Sequence, residues 1–380
     1  MIGGLLLTLV PIPATFEEVT AVTRGWQEPT LEAADYQFWV FSDPHNRRDG
    51  LEPIADAIRD LAGTGIAGRA TVEWDIAIGA GDWVGLQVCP DDRDGALIRD
   101  QIVASGADPN RIYSAIGNHD ADPGHWWFQN WIDPMGTRTA TSGISNSLRP
   151  YPVAGTWDHY RFETDDFLFL VLGDRNGPGE PFGRDCSVPR GYPAGGYSVE
   201  TYEWWVDQVE AASKPVITVA HHALHDTTAY TRMYEGADRG VHSGFTDADE
   251  MGSSFVFGIG DVGFPDRDYG FVHYLQQHPG AVAMWIHGHT HDGFTPGTTY
   301  MGNRDIEVRH GVVFLNAGAI TTTHAAPQVP YSHIVQYFRD DRRLVITPFL
   351  HDNWGWTQPA GPYGKGRVTF HLDADLTELG

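Results

Sequence analysis

Short apolar runs that end in a polar or glycine-rich turn organise most of the sequence. Each run has the length and the content of β-branched or aromatic residues that are typical of a buried β-strand. Seven such runs occur, at residues 36–42, 74–78, 111–116, 167–172, 216–220, 281–286 and 312–315. The pattern therefore predicts seven strands, each followed directly by a turn.

Stretches with helical character lie between several of these strands. Three helices are predicted, at residues 51–61, 198–212 and 269–277. Near the end of the chain, three segments alternate as antiparallel strands do, at residues 333–338, 344–350 and 367–372. Strands that alternate with helices indicate an α/β fold whose sheets are parallel or mixed and are covered on their faces.

The turns after the strands carry side chains that can bind metals or transfer protons. They read Asp43-Pro44-His45, Gly81-Asp82, Gly117-Asn118-His119-Asp120, Gly173-Asp174-Arg175-Asn176, His221-His222 and Gly288-His289-Thr290-His291. In α/β sheets, ligands bind beyond the carboxyl ends of the strands. We therefore expect these side chains to lie close together, although they are far apart in sequence.

The strong negative charge bears on the choice of partner. The 380-residue chain has a formal net charge of −25, and Lys214 and Lys365 are its only lysines. Such a surface repels polyanions, so long nucleic acid is disfavoured, whereas a small phosphoester is compatible with it. The sequence contains no apolar run long enough to predict a membrane span. The oligomeric state is left open.

Two cysteines and the apolar start of the chain bear on its compartment. Cys89 and Cys186 cannot form a thiolate zinc site, and they are compatible with one disulfide or with two inert thiols. Residues 1–14 resemble the apolar part of a signal sequence, but they lack a basic start and contain prolines. This favours an N-terminal extension over residues 1–35. A cytoplasmic location is favoured, and secretion follows if residues 1–14 act as a signal.

The polar side chains of the turns suit divalent metal ions. Taken singly, each motif has a structural explanation, because aspartate caps helices, asparagine adopts turns and histidine occurs on loop surfaces. Taken together, they supply carboxylate, imidazole and amide groups without thiolate, as hard or borderline divalent ions prefer. The candidate ligands are Asp43, His45, Asp82, Asn118, His221, His289 and His291.

The order of five short motifs resembles that of the calcineurin-like metallophosphoesterase family. The blocks are Asp-x-His, Gly-Asp, Gly-Asn-His-Asp, His-His and Gly-His-x-His, within residues 36–318. The resemblance implies a four-layer αββα sandwich, in which two mixed β-sheets are flanked by helices. It also implies a phosphoesterase domain over residues 36–331, with the C-terminal strands of residues 332–380 completing it. Long loop insertions are expected at residues 121–158, 176–197 and 225–268.

The resemblance also implies which residues hold two divalent metal ions, which would be Mn, Fe, Zn or Co. One ion would be bound by Asp43, His45 and His291. The other would be bound by Asn118, His221 and His289. Asp82 would bridge the two ions, with a water or hydroxide as the second bridge.

Two further residues of the motifs are candidate catalytic residues by the same resemblance. His119 resembles the family's leaving-group histidine, which gives a proton to the departing oxygen. Asp120 directly follows His119, where it could orient the imidazole. The segment after Asp82 reads Trp83-Val84-Gly85, whereas purple acid phosphatases place a tyrosine there, so no purple iron–tyrosinate site is expected.

The candidates for substrate contact are His222, Trp126, Trp127 and Arg175. The two tryptophans could stack on a base or a sugar above the metals, and Arg175 could reach a phosphate. A packed loop core is the competing interpretation for the tryptophans.

The expected reaction is hydrolysis of a phosphoester by a metal-bridging hydroxide, with a phosphodiester favoured over a phosphomonoester. Two cations about 3.5–4 Å apart would lower the pKa of the attacking water and neutralise the phosphoryl oxygens. The alternative is a non-catalytic protein that binds metal for stability and serves as a binding or structural protein, extracellular or virion-associated.

Overall fold

Two mixed β-sheets form the centre of the fold. The computed structural model describes residues 31–48, 50–63, 71–86, 88–173, 186, 196–224, 227–228, 257–259, 269–290, 306–321, 330–351, 361–362 and 367–372. The first sheet contains β1 (Tyr36–Phe41), β2 (Ile76–Gly79), β3 (Ile112–Ser114), β13 (Tyr331–Phe338), β14 (Arg343–Leu350), β15 (Gly361–Pro362) and β16 (Val368–His371). The second contains β4 (Ala154–Gly155), β5 (His159–Glu163), β6 (Leu168–Leu172), β8 (Val216–Val219), β10 (Met284–His287), β11 (Ile306–Arg309) and β12 (Val312–Asn316).

The strand order places the parallel strands in the middle of each sheet. The first sheet runs β15-β14-β13-β1-β2-β3, with β16 also paired to β14, and the second runs β11-β12-β10-β8-β6-β5-β4. In the first, β1, β2 and β3 are parallel and β13 joins β1 antiparallel. In the second, β6, β8, β10 and β12 are parallel. A separate pair consists of β7 (Gly196–Ser198) and β9 (Phe257–Ile259).

Helices cover the outer faces of both sheets. They are α1 (Pro53–Leu61), α2 (Asp92–Ala104), α3 (Thr139–Ser142), α4 (Val199–Ala211) and α5 (Tyr269–Gln277). Successive side chains of a strand point to opposite faces, and β1 shows the consequence. Phe38 and Val40 enter a core between the two sheets, where they meet Phe169 and Val171 of β6. Trp39 and Phe41 face the helices instead.

Each helical layer has its own core. Trp39 and Phe41 of β1 pack with residues of α1 and α2, such as Ile58 and Ile102. On the other side, β10 packs against α4 and α5 through an aromatic cluster that includes Trp205, Phe271 and Trp285. The predicted four-layer α/β sandwich is therefore confirmed.

The predicted elements are found close to their expected places. All seven predicted strands overlap observed strands, and the three predicted helices correspond to α1, α4 and α5. The C-terminal strands β13, β14 and β16 lie in the same sheet as β1. The domain boundaries drawn at residues 36 and 331 stay predictions.

Several elements were not predicted. Helix α2 begins after its N-cap residue Asp91, whose side chain accepts a hydrogen bond from the backbone N–H of Arg93, while Asp94 accepts one from the N–H of Asp91. The segment 121–158, expected to be loop, contains short helical turns at Pro123–His125 and Phe128–Ile132 as well as α3 and β4. Within the part of the chain that the structure describes, no helix is long and apolar enough to cross a membrane.

The structure resolves the question of the two cysteines. Cys89 and Cys186 form a disulfide, with a Cα–Cα distance of 5.1 Å across 97 residues of sequence. Cys89 precedes helix α2 in the segment that follows Asp82. Cys186 is the only described residue between 173 and 196.

Candidate metal centre

The ends of five parallel strands bring the predicted ligands together. Asp43 follows β1, Asp82 follows β2 and Asn118 follows β3, whereas His221 follows β8 and His289 follows β10. All five side chains are buried. The carboxyl ends of the strands of both sheets thus meet at one place, as the alternation of strands and helices predicts.

Asp82 lies at the middle of this cluster. Its Oδ2 atom is 3.3 Å from Nε2 of His221, 3.7 Å from Nε2 of His45 and 4.0 Å from Nε2 of His119. Its other carboxylate oxygen, Oδ1, accepts the backbone N–H of His119 at 2.8 Å. Burial opposes ionisation, but the imidazoles of His221 and His119 lower the pKa of the Asp82 carboxyl below its ordinary value. The carboxylate is therefore negative and is surrounded by nitrogen atoms.

The orientation of His221 fits a metal ligand. Its Nδ1–H donates to the carbonyl oxygen of Ala80 at 2.7 Å, so the lone pair of the neutral ring is on Nε2. That nitrogen faces Oδ1 of Asn118 at 3.0 Å and Nδ1 of His289 at 3.2 Å. Oδ1 of Asn118 and Oδ2 of Asp82 both face this nitrogen, and a metal ion between the three atoms would stabilise the arrangement.

The separations between these donor atoms also fit a shared ion. Ligand atoms bound at 2.0–2.2 Å to one zinc-like ion in tetrahedral geometry are roughly 3.3–3.6 Å apart. The distances around Asp82 and His221 are close to this range, and His45 Nε2 lies 3.5 Å from Oδ1 of Asp43. Among the described residues, two buried groups have this arrangement: His45 with Asp82 and His119, and Asp82 with His221 and His289. The donor set is carboxylate and imidazole without thiolate, which suits Mn, Fe, Zn or Co equally.

A further hydrogen bond joins the two sheets at this centre, in addition to the bond from His221 to Ala80. The backbone N–H of His289, after β10, donates to Oδ2 of Asp43, after β1, at 2.9 Å. The N–H of Asp43 in turn donates to the carbonyl oxygen of Gly81 at 3.1 Å. The site is therefore held by the backbone of both sheets before any ion binds.

Four candidate ligands have a left-handed backbone. The φ angles are +51° at Asp43, +46° at His45, +57° at Asp82 and +69° at His289. A non-glycine residue rarely adopts this conformation, which costs about 1–3 kcal/mol and tends to occur at functional sites. The rest of the fold therefore stabilises an unfavourable backbone at these four positions.

The contacts of His119 and Asp120 correct one prediction. The ring of His119 is oriented by the carbonyl oxygen of Leu86, which accepts from Nδ1 at 3.0 Å. The carboxylate of Asp120 instead accepts the backbone N–H groups of Gly117 at 2.9 Å and Val84 at 3.2 Å. The expected contact in which Asp120 orients the imidazole is thus wrong, because that carboxylate is used to fix the two turns.

The ionisation of Asp120 is also affected by its surroundings. Burial, and then the negative charge of Asp82, raise the pKa of the Asp120 carboxyl above its ordinary value. Its two backbone donors oppose that rise. Asp120 is thus a buried acid whose neutral form is favoured by the neighbouring carboxylate.

The candidate substrate contacts occupy different environments. Trp126 is 52% exposed and is free to meet a ligand, but Trp127 is fully buried among the residues beneath α2 and donates from Nε1 to the carbonyl oxygen of Asp91. The predicted stacking role of Trp127 is wrong, since its ring is part of the core. His222 is buried, with its ring centroid 4.1 Å from that of His289. Arg175 and the candidate ligand His291 lie outside the described residues.

Two backbone carbonyl groups contribute to the site although the sequence does not predict them. The oxygens of Ala80 and Leu86 set the orientation of His221 and His119, yet any residue type can supply a carbonyl. The glycine that directly precedes Asp82, Asn118 and His289 is a better signal. A side chain at Gly117 would collide with Asp82, and one at Gly288 would collide with Ser42.

Comparisons with known proteins bear on the family and the fold. A family profile described as calcineurin-like phosphoesterase matches residues 36–293, more than half of the chain. A search of curated proteins gives no match. Solved structures do match, and they include proteins of only 10–12% sequence identity.

Three solved structures illustrate this similarity. A predicted phosphoesterase from Streptococcus pneumoniae is 11% identical with a TM-score of 0.31, over 87% of this chain and 99% of that one. GAP50, described as the anchor in the inner membrane complex of Plasmodium, is 10% identical with a TM-score of 0.46, over 87% and 90%. Vps29 from Entamoeba histolytica is 12% identical with a TM-score of 0.31, over 88% and 99%. Similarity at this level concerns the fold alone.

Proposed function

The chain belongs to the calcineurin-like phosphoesterase family, and we propose that it hydrolyses phosphoesters with the help of two divalent metal ions. The observation that carries the proposal is the position of the Asp82 carboxylate. One of its oxygens lies within 3.3–4.0 Å of three imidazole nitrogens that come from turns of both sheets.

We assign the ligands of the two ions as follows. The first ion would be held by Asp43, His45 and His291, the second by Asn118, His221 and His289, and Asp82 would contribute to both. When bound, such a pair of cations lowers the pKa of an attacking water and neutralises the phosphoryl oxygens. The turns supply these groups from rigid strand ends, which keeps their positions fixed during the reaction.

His119 is the group that protonates the leaving oxygen. Because a carbonyl oxygen can only accept, the hydrogen bond to Leu86 keeps the proton of the neutral ring on Nδ1. The other nitrogen, Nε2, is directed towards Asp82 at 4.0 Å. A proton taken up on Nε2 therefore faces the metal centre, where a leaving alkoxide would need it.

Charge supports a phosphodiester as the preferred substrate. A diester carries one negative charge, whereas a monoester carries up to two. The chain has a net charge of −25, and this overall charge disfavours the more highly charged ester.

Metal analysis combined with an activity assay tests the proposal. The purified protein is expected to contain divalent metal and to hydrolyse aryl phosphodiesters faster than aryl phosphomonoesters. An Asp82→Asn variant should lose most of its metal and slow by 100-fold or more, on the order of what metal-centre chemistry contributes.

A matched control distinguishes the loss of a carboxylate at the metal centre from the loss of a buried carboxylate elsewhere. Asp133 is also a buried carboxylate, but it binds the backbone of Thr137 and Arg138 and the hydroxyl of Ser142. Asp133→Asn should keep metal and activity. Equal activity of Asp82→Asn and wild type would contradict the mechanism. A protein that binds metal but hydrolyses no ester would favour the non-catalytic alternative.

A further inference from the structure

The disulfide lies close in sequence to the group that orients His119. Cys89 is three residues after Leu86, whose carbonyl oxygen accepts the Nδ1–H of His119 at 3.0 Å. The disulfide partner, Cys186, is 97 residues away in sequence. A covalent bond to a distant segment therefore restrains the loop that carries this carbonyl.

The same loop supports the centre at several points. We call residues 83–86 the supporting loop. Within it, the N–H of Val84 donates to Oδ1 of Asp120, and the N–H of Gly85 donates to the carbonyl oxygen of Asn46 at 3.1 Å. Gly85 is also packed against His45, since a Cβ there would lie 2.9 Å from the Cβ of His45. The start of the loop is thus fixed by the centre itself.

The end of the supporting loop is fixed by different contacts. Helix α2 begins after Asp91, which forms an ion pair with Arg48 at 2.7 Å. The disulfide at Cys89 adds a covalent anchor between this helix and Leu86. The Leu86 carbonyl lies between the backbone bond from Gly85 to Asn46 and the disulfide at Cys89, so a restraint acts on each side of it.

We propose that the Cys89–Cys186 disulfide positions His119 for protonation of the leaving group, acting through the carbonyl of Leu86. The proposal rests on the proposed function. A shift of about 1 Å in a positioning contact is enough to lower a rate by as much as 10²-fold. The metal ligands have other supports, such as the bond from His221 to Ala80, so opening the disulfide should spare metal binding.

The proposal also links the activity of the protein to the redox state of its compartment. Disulfides persist in oxidising compartments and are rare where thiols are kept reduced. Esters with poor leaving groups should therefore be hydrolysed well only by the oxidised chain. Activated esters, whose leaving groups need no proton, should be hydrolysed by both forms.

A double variant, Cys89→Ser with Cys186→Ser, tests this in the full chain. For alkyl phosphodiesters, kcat should fall about tenfold or more with little change in KM, a part of what a general acid contributes. For 4-nitrophenyl diesters, kcat should change by less than about threefold, because that leaving group departs without a proton. Metal content should be equal to wild type. An equal change on both esters would overturn the proposal.

Chemical reduction provides the same test without a mutation. A water-soluble trialkylphosphine transfers two electrons to the disulfide, giving two thiols while the phosphine takes the oxygen of water. The reduced wild type should show the selective loss, and reoxidation should reverse it. The double variant, which has no disulfide, controls for any action of the phosphine on the metals and should not respond. If the double variant does not fold, the reduced wild type decides alone.

A spectroscopic measurement separates this inference from the proposed function. In metal-free protein labelled with ¹⁵N-histidine, the Nδ1–H of His119 should exchange slowly, and His119→Gln assigns its signal. Opening the disulfide should broaden or remove that signal. An unchanged signal overturns the proposal even if the protein is an active hydrolase. If the wild type hydrolyses no ester, the proposed function is wrong. The Nδ1–H signal of His119 still reports whether the disulfide positions this ring.

Discussion

At the scale of single residues, His119 has a proposed role that is separate from that of the assigned metal ligands. It approaches the centre through Nε2, 4.0 Å from Asp82, while Nδ1 is held by a carbonyl oxygen. His119→Ala should slow esters of poor leaving groups by about 10²–10⁴-fold, the usual contribution of a general acid. Activated aryl esters should be affected far less. The measurement is kcat/KM against the pKa of the leaving group.

The exposed histidine His371 gives a control for this prediction. His371→Ala should leave the dependence on the leaving group unchanged. Losses of equal size on good and poor leaving groups in His119→Ala would point to a ligand or a structural role instead. His119 also belongs to a buried cluster of described residues that could hold an ion, so metal content must be measured alongside.

Asp122 gives a prediction about pH at the same scale. Burial raises the pKa of its carboxyl from 3.8 to about 6, while Oδ1 accepts the backbone N–H of Trp127 at 3.0 Å. Between pH 3.8 and about 6, the Asp122 carboxyl holds its proton in the folded chain but loses it in the unfolded chain. This group's contribution to stability is therefore present at low pH and is lost as the pH rises through about 6.

Asp122→Asn should consequently be more stable than wild type at pH 7. The amide keeps an oxygen that can accept from Trp127 but carries no buried charge. Thermal unfolding at several pH values between 4 and 7 gives the measurement, and the difference between the two proteins should grow with pH. If the stabilities of the two proteins change with pH in parallel, or if the variant is less stable at pH 7, the charge of Asp122 does not destabilise the fold.

At the scale of elements, the glycine before the turns of Asp82, Asn118 and His289 determines how closely these strand ends approach their neighbours. Gly117 has φ −105° and ψ 173°, which any residue can adopt, so its backbone does not require glycine. Its environment does, because a Cβ would lie 2.2 Å from Oδ1 and 2.3 Å from the backbone nitrogen of Asp82. Gly117→Ala should displace Asp82, with loss of metal and activity and a destabilisation of about 1–3 kcal/mol from overpacking.

Gly106→Ala is the matched control for that variant. Gly106 has φ +83°, and no atom lies within 4 Å of the place that a Cβ would take, so alanine there costs backbone strain of roughly 1–2 kcal/mol without a collision. Both variants are expected to be less stable, but only Gly117→Ala should lose metal. The measurements are metal analysis and thermal unfolding of both proteins. A Gly117→Ala variant that keeps its ions would show that the added Cβ does not displace Asp82.

The strands were predictable because burial on both faces leaves a continuous apolar signal. The runs that became β1 and β6 are apolar at almost every position, as expected for central strands. Helix α2 was missed because it buries few apolar residues, among them Ile98 and Ile102, and carries many charges. Its start is nonetheless encoded, since Asp91 and Asp94 form a capping box.

Parts of the centre could not be predicted from residue types. The orientation of His119 depends on the carbonyl of Leu86, and the orienting role expected of Asp120 failed because its carboxylate serves two backbone groups. Trp127 looked like a stacking residue, but the same ring suits a core. The pairing of Cys89 with Cys186 requires knowing which loops meet, which the spacing of two cysteines does not give.

At the scale of the whole molecule, the candidate centre is a joint between the two sheets. Asp43, Asp82 and Asn118 follow strands of the first sheet, whereas His221 and His289 follow strands of the second. The hydrogen bonds from the backbone N–H of His289 to Oδ2 of Asp43 and from Nδ1 of His221 to the carbonyl oxygen of Ala80 cross this joint. Ions that bind groups from both sides would add further links, which exist only when the sheets are packed together.

Metal removal should therefore lower the stability of the entire fold. An ion that binds only the folded chain stabilises it by about 2.7 kcal/mol at a free concentration 100 times its Kd. Protein stripped with a chelator should show a lower Tm, and adding back Mn²⁺ or Zn²⁺ should restore it. In Asp82→Asn the ions should raise the Tm little, whereas Asp133→Asn should keep the full rise although its starting Tm is lower. A Tm that does not depend on metal in the wild type would mean that the two sheets are held by their shared core alone, and that the turns do not act as a metal-bridged joint.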